Sequence, residues 1–476
     1  MRPLFFALLS VLQSVAFAQH NVSFIPSQLL DTIPEEIHEK LKARLVADKS
    51  RVSGPKKESD YIKTLYEQRF EYVVNAFNEG YFMVDHSLTY TLRRIAERIL
   101  VSNPSLPREV DVYAYRSGEP NALSFGEGSI GIMVGLLERL QTEDDVAFVL
   151  CHEFAHYYAK HAERNFARVA ALNYDKELGK KISQIKRTPY GRYSKLKALF
   201  EDLGMSMGTH TREAEFEADS LGLVYFLNTG YDRYAPIRTM EVLSTADKGF
   251  YQQPIDFKKH FDFKDFPFKE QWTSYSQPAV TYASLAASKN DSLRTHPDTG
   301  RRSRRLARQL GGEFSGDSSQ ATSFTKWSEL ASFEIINSNY QLKQYGRSLF
   351  YAMMLAERFP ENPYPSAMIS KSLYQLYKAQ KEHNLDKVLE LLDPRFDENY
   401  NRLLTFLHKL RLHELARLGY EYVISRPAEF YTNEDIIHAL WLCSGFDFSK
   451  VDRNKVTEEY RTLYPQGRYL KEMTNR

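Results

Sequence analysis

The chain has 476 residues, enough for two domains plus an N-terminal extension. Its 63 basic and 61 acidic residues are mixed along the sequence, and the resulting net charge of +2 excludes the basic footprint of a nucleic-acid binder. The two cysteines, Cys151 and Cys443, fall in different predicted domains, which excludes a disulfide framework. The chain opens with Met1-Arg2, an apolar run from Leu4 to Phe17, and small residues at Ala16 and Ala18. That order predicts a secretory signal peptide over residues 1–18, cleaved before Gln19. Its apolar run is short for a membrane span, and no later stretch reaches about 18 apolar residues without charge. The expectation is an exported protein with no transmembrane segment once the signal is removed; sparse cysteines favour a periplasmic address, with secretion as the alternative. Residues 19–85 read as a polar, helical extension, interrupted at Val52-Ser53-Gly54-Pro55.

Next come an amphipathic helix over Leu88–Leu100, an alternating strand over Glu109–Tyr115, and a second strand around Ile130. Thr142, followed by Glu143, Asp144 and Asp145, offers a side-chain oxygen and first-turn acids, so a helix is expected from there past His161. Inside it stands His152-Glu153-Phe154-Ala155-His156. Residues four apart share a helix face, so both imidazoles can reach one ion. Glu153 then lies beside the metal, where a carboxylate can take a proton from water that zinc has acidified to a pKa of about 7. Cys151 points away from that face and reads as a buried thiol. His161 lies at a different helical phase from His156 and reads as structural or as a hydrogen-bond partner.

Two histidines leave a catalytic zinc one protein ligand short. Thr211 to Gly222 contains Glu213, Glu215, Glu217 and Asp219, with small or apolar residues at Ala214, Ala218, Leu221 and Leu223 that let a helix lie close to its neighbour. Glu215 and Asp219 share a face, which suits one as ligand and the other as acceptor of a ligating histidine's distal N–H. Residue chemistry alone does not choose among the three glutamates; those not chosen are expected to be solvated or capping charges. His210, just ahead, is a weak candidate for stabilising an oxyanion.

Gly249 to Tyr282 is dense in aromatic residues, among them Phe257, Phe261, Phe266, Phe268 and Trp272. Such a stretch suits a lid, a surface for aromatic-rich substrates, or a loop filling its own small core. After a Gly/Ser-rich linker from Gly311 to Ser323, helices are expected at Tyr345–Arg358, Ser366–Lys378, Asp386–Leu392, Tyr400–Leu410 and Leu412–Ile424. Their pairing resembles degenerate tetratricopeptide-type repeats, with a simple helical bundle as the alternative.

His-Glu-x-x-His followed by Arg212, Glu215, Ala218 and Asp219 resembles the M48 family of zinc metallopeptidases. Asn121-Ala122-Leu123-Ser124, Gly128 to Ile132, Gly230-Tyr231-Asp232 and Thr295-His296-Pro297 agree with that resemblance. It implies one zinc per chain with His152, His156 and Glu215 as ligands, Glu153 as catalytic base and Asp219 behind a ligating histidine. It also implies substrate contacts at Asn121 and Ala122. His296 would be a fourth ligand, an oxyanion stabiliser or a loop anchor. The implied fold is α+β: a zincin-like metallopeptidase core with a small sheet over residues 86–312, followed by an all-α, helical-repeat-like domain over 324–476. The expected activity is endopeptidase cleavage of exported or envelope polypeptides in periplasmic quality control, with an envelope partner docking on the C-terminal helices. The alternative is a chaperone or scaffold that binds partners through its helices and keeps its zinc site closed or regulatory.

Overall fold

The structure, a computed structural model, describes residues 24–29, 32–173, 212–245, 254–274, 299–311, 325–393 and 396–475. The expected signal peptide, the stretch from Tyr174 to Leu199, His210, His296 and most of the Gly/Ser-rich linker lie outside them.

In chain order the elements are α1 (Glu35–Arg51), α2 (Lys56–Asn78), β1 (Phe82–Met83), α3 (Ser87–Ser102), β2 (Asp111–Tyr115), β3 (Ala122–Ser124) and β4 (Ser129–Met133). There follow α4 (Val134–Arg139), α5 (Glu143–Tyr158), α6 (His161–Asn173), α7 (Arg212–Leu227), α8 (Ala235–Ser244), α9 (Phe257–Phe261) and α10 (Thr299–Gln309). The C-terminal helices are α11 (Thr325–Gln341), α12 (Tyr345–Arg358), α13 (Pro363–Lys381), α14 (Glu398–Lys409), α15 (Leu412–Ile424), α16 (Glu434–Cys443), α17 (Arg453–Leu463) and α18 (Leu470–Thr474). The molecule is thus mostly helical with one small mixed sheet, the α+β architecture expected. By their contacts the residues fall into two units: Ser27–Phe250 with Thr281–Ala331, and Met1–Pro26 with Tyr251–Val280 and Ser332–Arg476.

In the first unit the sheet order is β1-β2-β4-β3, with β2 and β4 parallel and both outer pairs antiparallel. Ala122 pairs with Ile132 and Ser124 with Ile130, so the three-residue β3 forms a sheet edge among the described residues. The Thr89 hydroxyl bonds Met83 O (2.5 Å) and receives Ala114 N–H (2.9 Å), stitching α3 to β1 and β2. One face of the sheet is sealed by Phe77, Phe82, Tyr113 and Val73, with Phe77 and Phe82 stacked at 3.9 Å.

Helix α5 begins as its sequence predicts. Thr142 Oγ1 accepts Asp145 N–H and the Asp145 carboxylate accepts Thr142 N–H, a reciprocal capping box. From Val146 to Leu150 every side chain is buried, so the helix is apolar all round and threads the core. Its C-terminus differs from the expectation of a helix running past His161. The chain leaves the helix after Tyr158, and Lys160 takes a left-handed φ of 56° before α6 starts afresh at His161.

In the second unit α13 is the central helix, packed by α12, α15 and α16. Of the helices expected here, Asp386–Leu392 does not form: Leu385–Lys387 makes a single 3-10 turn. The chain then turns away to bury Leu389, and Glu390 accepts hydrogen bonds from Arg347 and Tyr400 (both 2.6 Å). The described part of the aromatic stretch also belongs to this unit. Phe257 and Phe261 stack on Phe406 at 4.8 and 5.4 Å, and Trp272 Nε1 donates to Glu414, so these residues pack against the C-terminal helices instead of filling a small core of their own. Among the described residues no helix is long and apolar enough to cross a membrane.

Candidate metal centre

Helix α5 carries His152, Glu153 and His156, and α7 crosses it carrying Glu215 and Asp219. The two helices touch because α7 presents Ala218 and Gly222 to its neighbour. A Cβ on Gly222 would stand 3.1 Å from the Cys151 carbonyl and from His152 Cα, tighter than most real contacts. Glycine is therefore what allows the carboxylates of α7 to reach the imidazoles of α5. Cys151 is buried and free, as expected.

His152 Nε2 and His156 Nε2 are 3.0 Å apart; Glu215 places one oxygen 3.3 Å from His156 Nε2 and the other 3.6 Å from His152 Nε2. Ligands held at about 2.0–2.2 Å in a tetrahedral zinc site are about 3.3–3.6 Å from one another, and each imidazole stands near that distance from one of the two Glu215 oxygens. Among the described residues, His152, His156 and Glu215 are the group of this kind. Of the three glutamates, Glu215 is the one that faces both imidazoles. Glu213 is exposed, and Glu217 points to the other side of α7, where it meets His161 (3.2 Å) and Arg164 (2.8 Å) instead of being merely solvated.

Asp219, expected to accept the distal N–H of one of the two histidines, lies against His152, with Oδ1 3.1 Å from Nδ1. It also holds Arg302 of α10, whose Nε and Nη2 each lie 2.7 Å from its carboxylate. Arg302 Nη1 reaches Glu215 at 2.6 Å. Arg302 follows the Thr295-His296-Pro297 segment in sequence, and it enters the site because α10 packs on both α7 and α8.

Glu153, Glu215, Asp219 and Arg302 are each at most 1% exposed. Three buried carboxylates against one guanidinium leave the described site short of positive charge, and buried charge must be compensated. A divalent cation among His152, His156 and Glu215 would bring that count to neutrality. The donor set, its spacing and its charge therefore fit a zinc ion. The same deficit is visible in His152: burial disfavours its protonation, yet Asp219 and Glu215 outweigh burial and raise its pKa to about 9. Burial pushes the Asp219 carboxyl up, but Arg302 and His152 hold it below its usual range.

A void of about 20 Å³, room for about one water, opens beside His152 and Glu153, lined also by Asn121, Ala122, Thr239, Met240 and Arg302. Asn121 and Ala122 thus flank the site, and the Asn121 side chain accepts Ala122 N–H (2.9 Å), fixing the entry to β3. Thr239 and Met240 come from α8, an element no motif had pointed to; Arg238 anchors it to Asp145 at the start of α5.

Residues 86–310 match the model of peptidase family M48. That stretch holds every element of the site. The mitochondrial metalloendopeptidase OMA1 of Schizosaccharomyces pombe is 22% identical over 188 residues, which are 40% of this chain and 53% of that protein. The chain thus spans about half the length of the curated relative it matches. Both matches are likenesses to metallopeptidases, and the family model covers the stretch that carries the site.

Proposed function

We propose that the chain is a zinc-dependent endopeptidase with His152, His156 and Glu215 as ligands of one zinc ion and Glu153 as catalytic base. The observation that carries this reading is the triangle of donors beside Glu153 and a water-sized void. A zinc ion held there supplies the Lewis-acid charge that polarises a scissile carbonyl. Glu153 takes a proton from the attacking water and later delivers it to the leaving amine. Asp219 holds His152 in the tautomer that leaves Nε2 as donor, and Arg302 offsets the carboxylates of Glu215 and Asp219. Asn121 and Ala122, entering edge strand β3, suit an extended peptide that adds to the sheet. A fourth ligand or oxyanion donor from His296 remains part of the proposal.

Met1-Arg2, the apolar run to Phe17 and the small residues at 16 and 18 support export, with the periplasm as the proposed address and envelope or exported polypeptides as substrates. Quality control is the role that fits such an address, and the helical unit is the proposed docking surface for an envelope partner.

The test compares zinc content and casein cleavage for the chain from Gln19 and its Glu153→Gln variant. Stoichiometric zinc in both, with cleavage only in the unaltered chain, is the expected result. Zinc in both without cleavage in either would favour the scaffold with a closed site. Absence of stoichiometric zinc from the unaltered chain would overturn the proposal.

A further inference from the structure

His152 has a carboxylate behind it; His156 has something different. Its Nε2 faces Glu215 and His152, while its Nδ1 lies 2.7 Å from Nδ1 of His161, with the rings at 73° to one another. His161 is buried, and its own Nε2 lies 3.2 Å from Glu217 Oε2, which in turn receives Arg164 Nη2 at 2.8 Å. This line of four side chains runs from the metal site to the surface, where Glu217 and Arg164 are about half exposed.

The chain geometry that makes it is specific. On one continuous helix, residues five apart are rotated by about 140° and their rings diverge. The left-handed turn at Lys160 ends α5 and starts α6 at His161, which folds that ring back under His156. A non-glycine residue in that backbone region is uncommon and is held there by its surroundings.

Proton bookkeeping gives the line a direction. If His156 binds a metal through Nε2, its Nδ1 carries the proton and donates to His161 Nδ1. His161 Nδ1 is then an acceptor, so its proton sits on Nε2 and is donated to Glu217. Each ring's tautomer is fixed by the next residue outward.

We propose that His161 is a positioning residue for His156, with Glu217 fixing its tautomer, so that the two ligand histidines are oriented by different devices: Asp219 for His152 and the His161–Glu217 pair for His156. The proposal rests on the metal-site reading given above. Partners behind a ligating histidine typically change metal affinity about 10- to 100-fold when removed.

The experiment is zinc competition against a chromogenic chelator, using the metal-free chain from Gln19, with folding checked by circular dichroism. His161→Phe keeps a ring but removes the acceptor, and is expected to weaken zinc binding by about 10- to 100-fold. His161→Asn returns an acceptor near the Nδ1 position and is expected to recover most of that loss, which a merely space-filling role would not predict. Glu217→Ala, which removes the acceptor for His161 Nε2–H, is expected to weaken binding less in the unaltered chain and to have no effect on top of His161→Phe. A folded His161→Phe chain with affinity within about twofold of the original would overturn the proposal. Should His161→Phe not fold, the exposed Glu217→Ala change, which removes the acceptor, decides, and unaltered affinity there overturns it. Failure of the underlying site reading looks different: the unaltered chain would not take up one zinc, or His156→Ala would retain it.

Discussion

Beside the metal site, Arg302 faces Glu215 and Asp219 with Glu153 close by, whereas in the helical unit Lys371 and Arg468 face Asp435 and Glu434. In the second cluster two cations face the two carboxylates they bond directly, and the half-exposed Glu472 adds a third at its rim against His438. Lys371 Nζ meets Asp435 Oδ1 at 3.1 Å and Tyr469 OH at 2.9 Å, and Arg468 bridges Glu434 and Asp435, each at 2.8 Å. It ties the last turn of the chain to α13 and α16, helped by His438 stacked on Tyr469 at 3.8 Å. A balanced buried cluster completes itself and serves stability or specificity of packing. An unbalanced one, three carboxylates to one guanidinium among the described residues, is stable only with a proton or a cation supplied from outside. The surplus, more than the burial, distinguishes a binding site from a structural staple.

That contrast can be broken in graded ways. The largest effect is expected from Glu153→Gln, which should lower peptide cleavage by about 10²- to 10⁴-fold, the range of a lost general acid–base. Zinc uptake should persist, and initial rates with zinc analysis would check both halves of the claim. Next, Arg302→Met and Lys371→Met should each destabilise the metal-free chain by about 3–5 kcal/mol, because each strands buried carboxylate charge. Zinc should restore stability to the Arg302→Met chain and not to the Lys371→Met chain. Urea denaturation with chelator and with zinc reads this directly, and equal responses would remove the distinction drawn here.

A smaller effect is expected at the α5–α7 contact. Gly222→Ala adds a methyl 3.1 Å from the Cys151 carbonyl and His152 Cα, so overpacking should cost about 1–3 kcal/mol and weaken zinc binding, measurable by denaturation and chelator competition. The smallest is a pH slope. His152, faced by Asp219, Glu215, Arg302 and His156, has its pKa raised from 6.5 to about 9 in the metal-free chain. Its contribution to stability is complete below the unfolded value of 6.5 and is lost as pH rises through about 9. Asp435 has the opposite sign: burial raises its pKa, but Lys371 and Arg468 pull it to about 2, so its contribution is lost only as pH falls through that value. Melting temperatures from pH 6 to 10 with chelator should therefore decline for the first unit, and zinc should remove the decline by replacing the proton on His152.

Much of the site is legible in the sequence because it rests on short-range periodicity. The spacing of His152 and His156, the adjacent Glu153, the Glu215/Asp219 pair and the Thr142 cap all follow from what a single helix does with residues three or four apart. Two expectations failed for a common reason. A helix continuing past His161 and another over Asp386–Leu392 were consistent with local pattern, but non-local partners redirected both segments: His156 and Glu217 hold His161, and Arg347 and Tyr400 hold Glu390. Glu217 reads in sequence as a solvated or capping charge, because nothing in its own helix reveals that the turn of another helix ends beside it.

By itself the sequence determined the helix that carries His152, Glu153 and His156, the helix that carries Glu215 and Asp219, and the class of fold, since each depends on patterns repeating within one element. Only the tertiary structure decided which glutamate faces the imidazoles, that Arg302 enters from 150 residues away, and that His161 turns back onto His156. Those outcomes depend on how closely α5, α7 and α10 approach and on one left-handed residue at Lys160. Helix approach and chain reversal are set by packing between segments distant in sequence, and no periodicity within a segment encodes them.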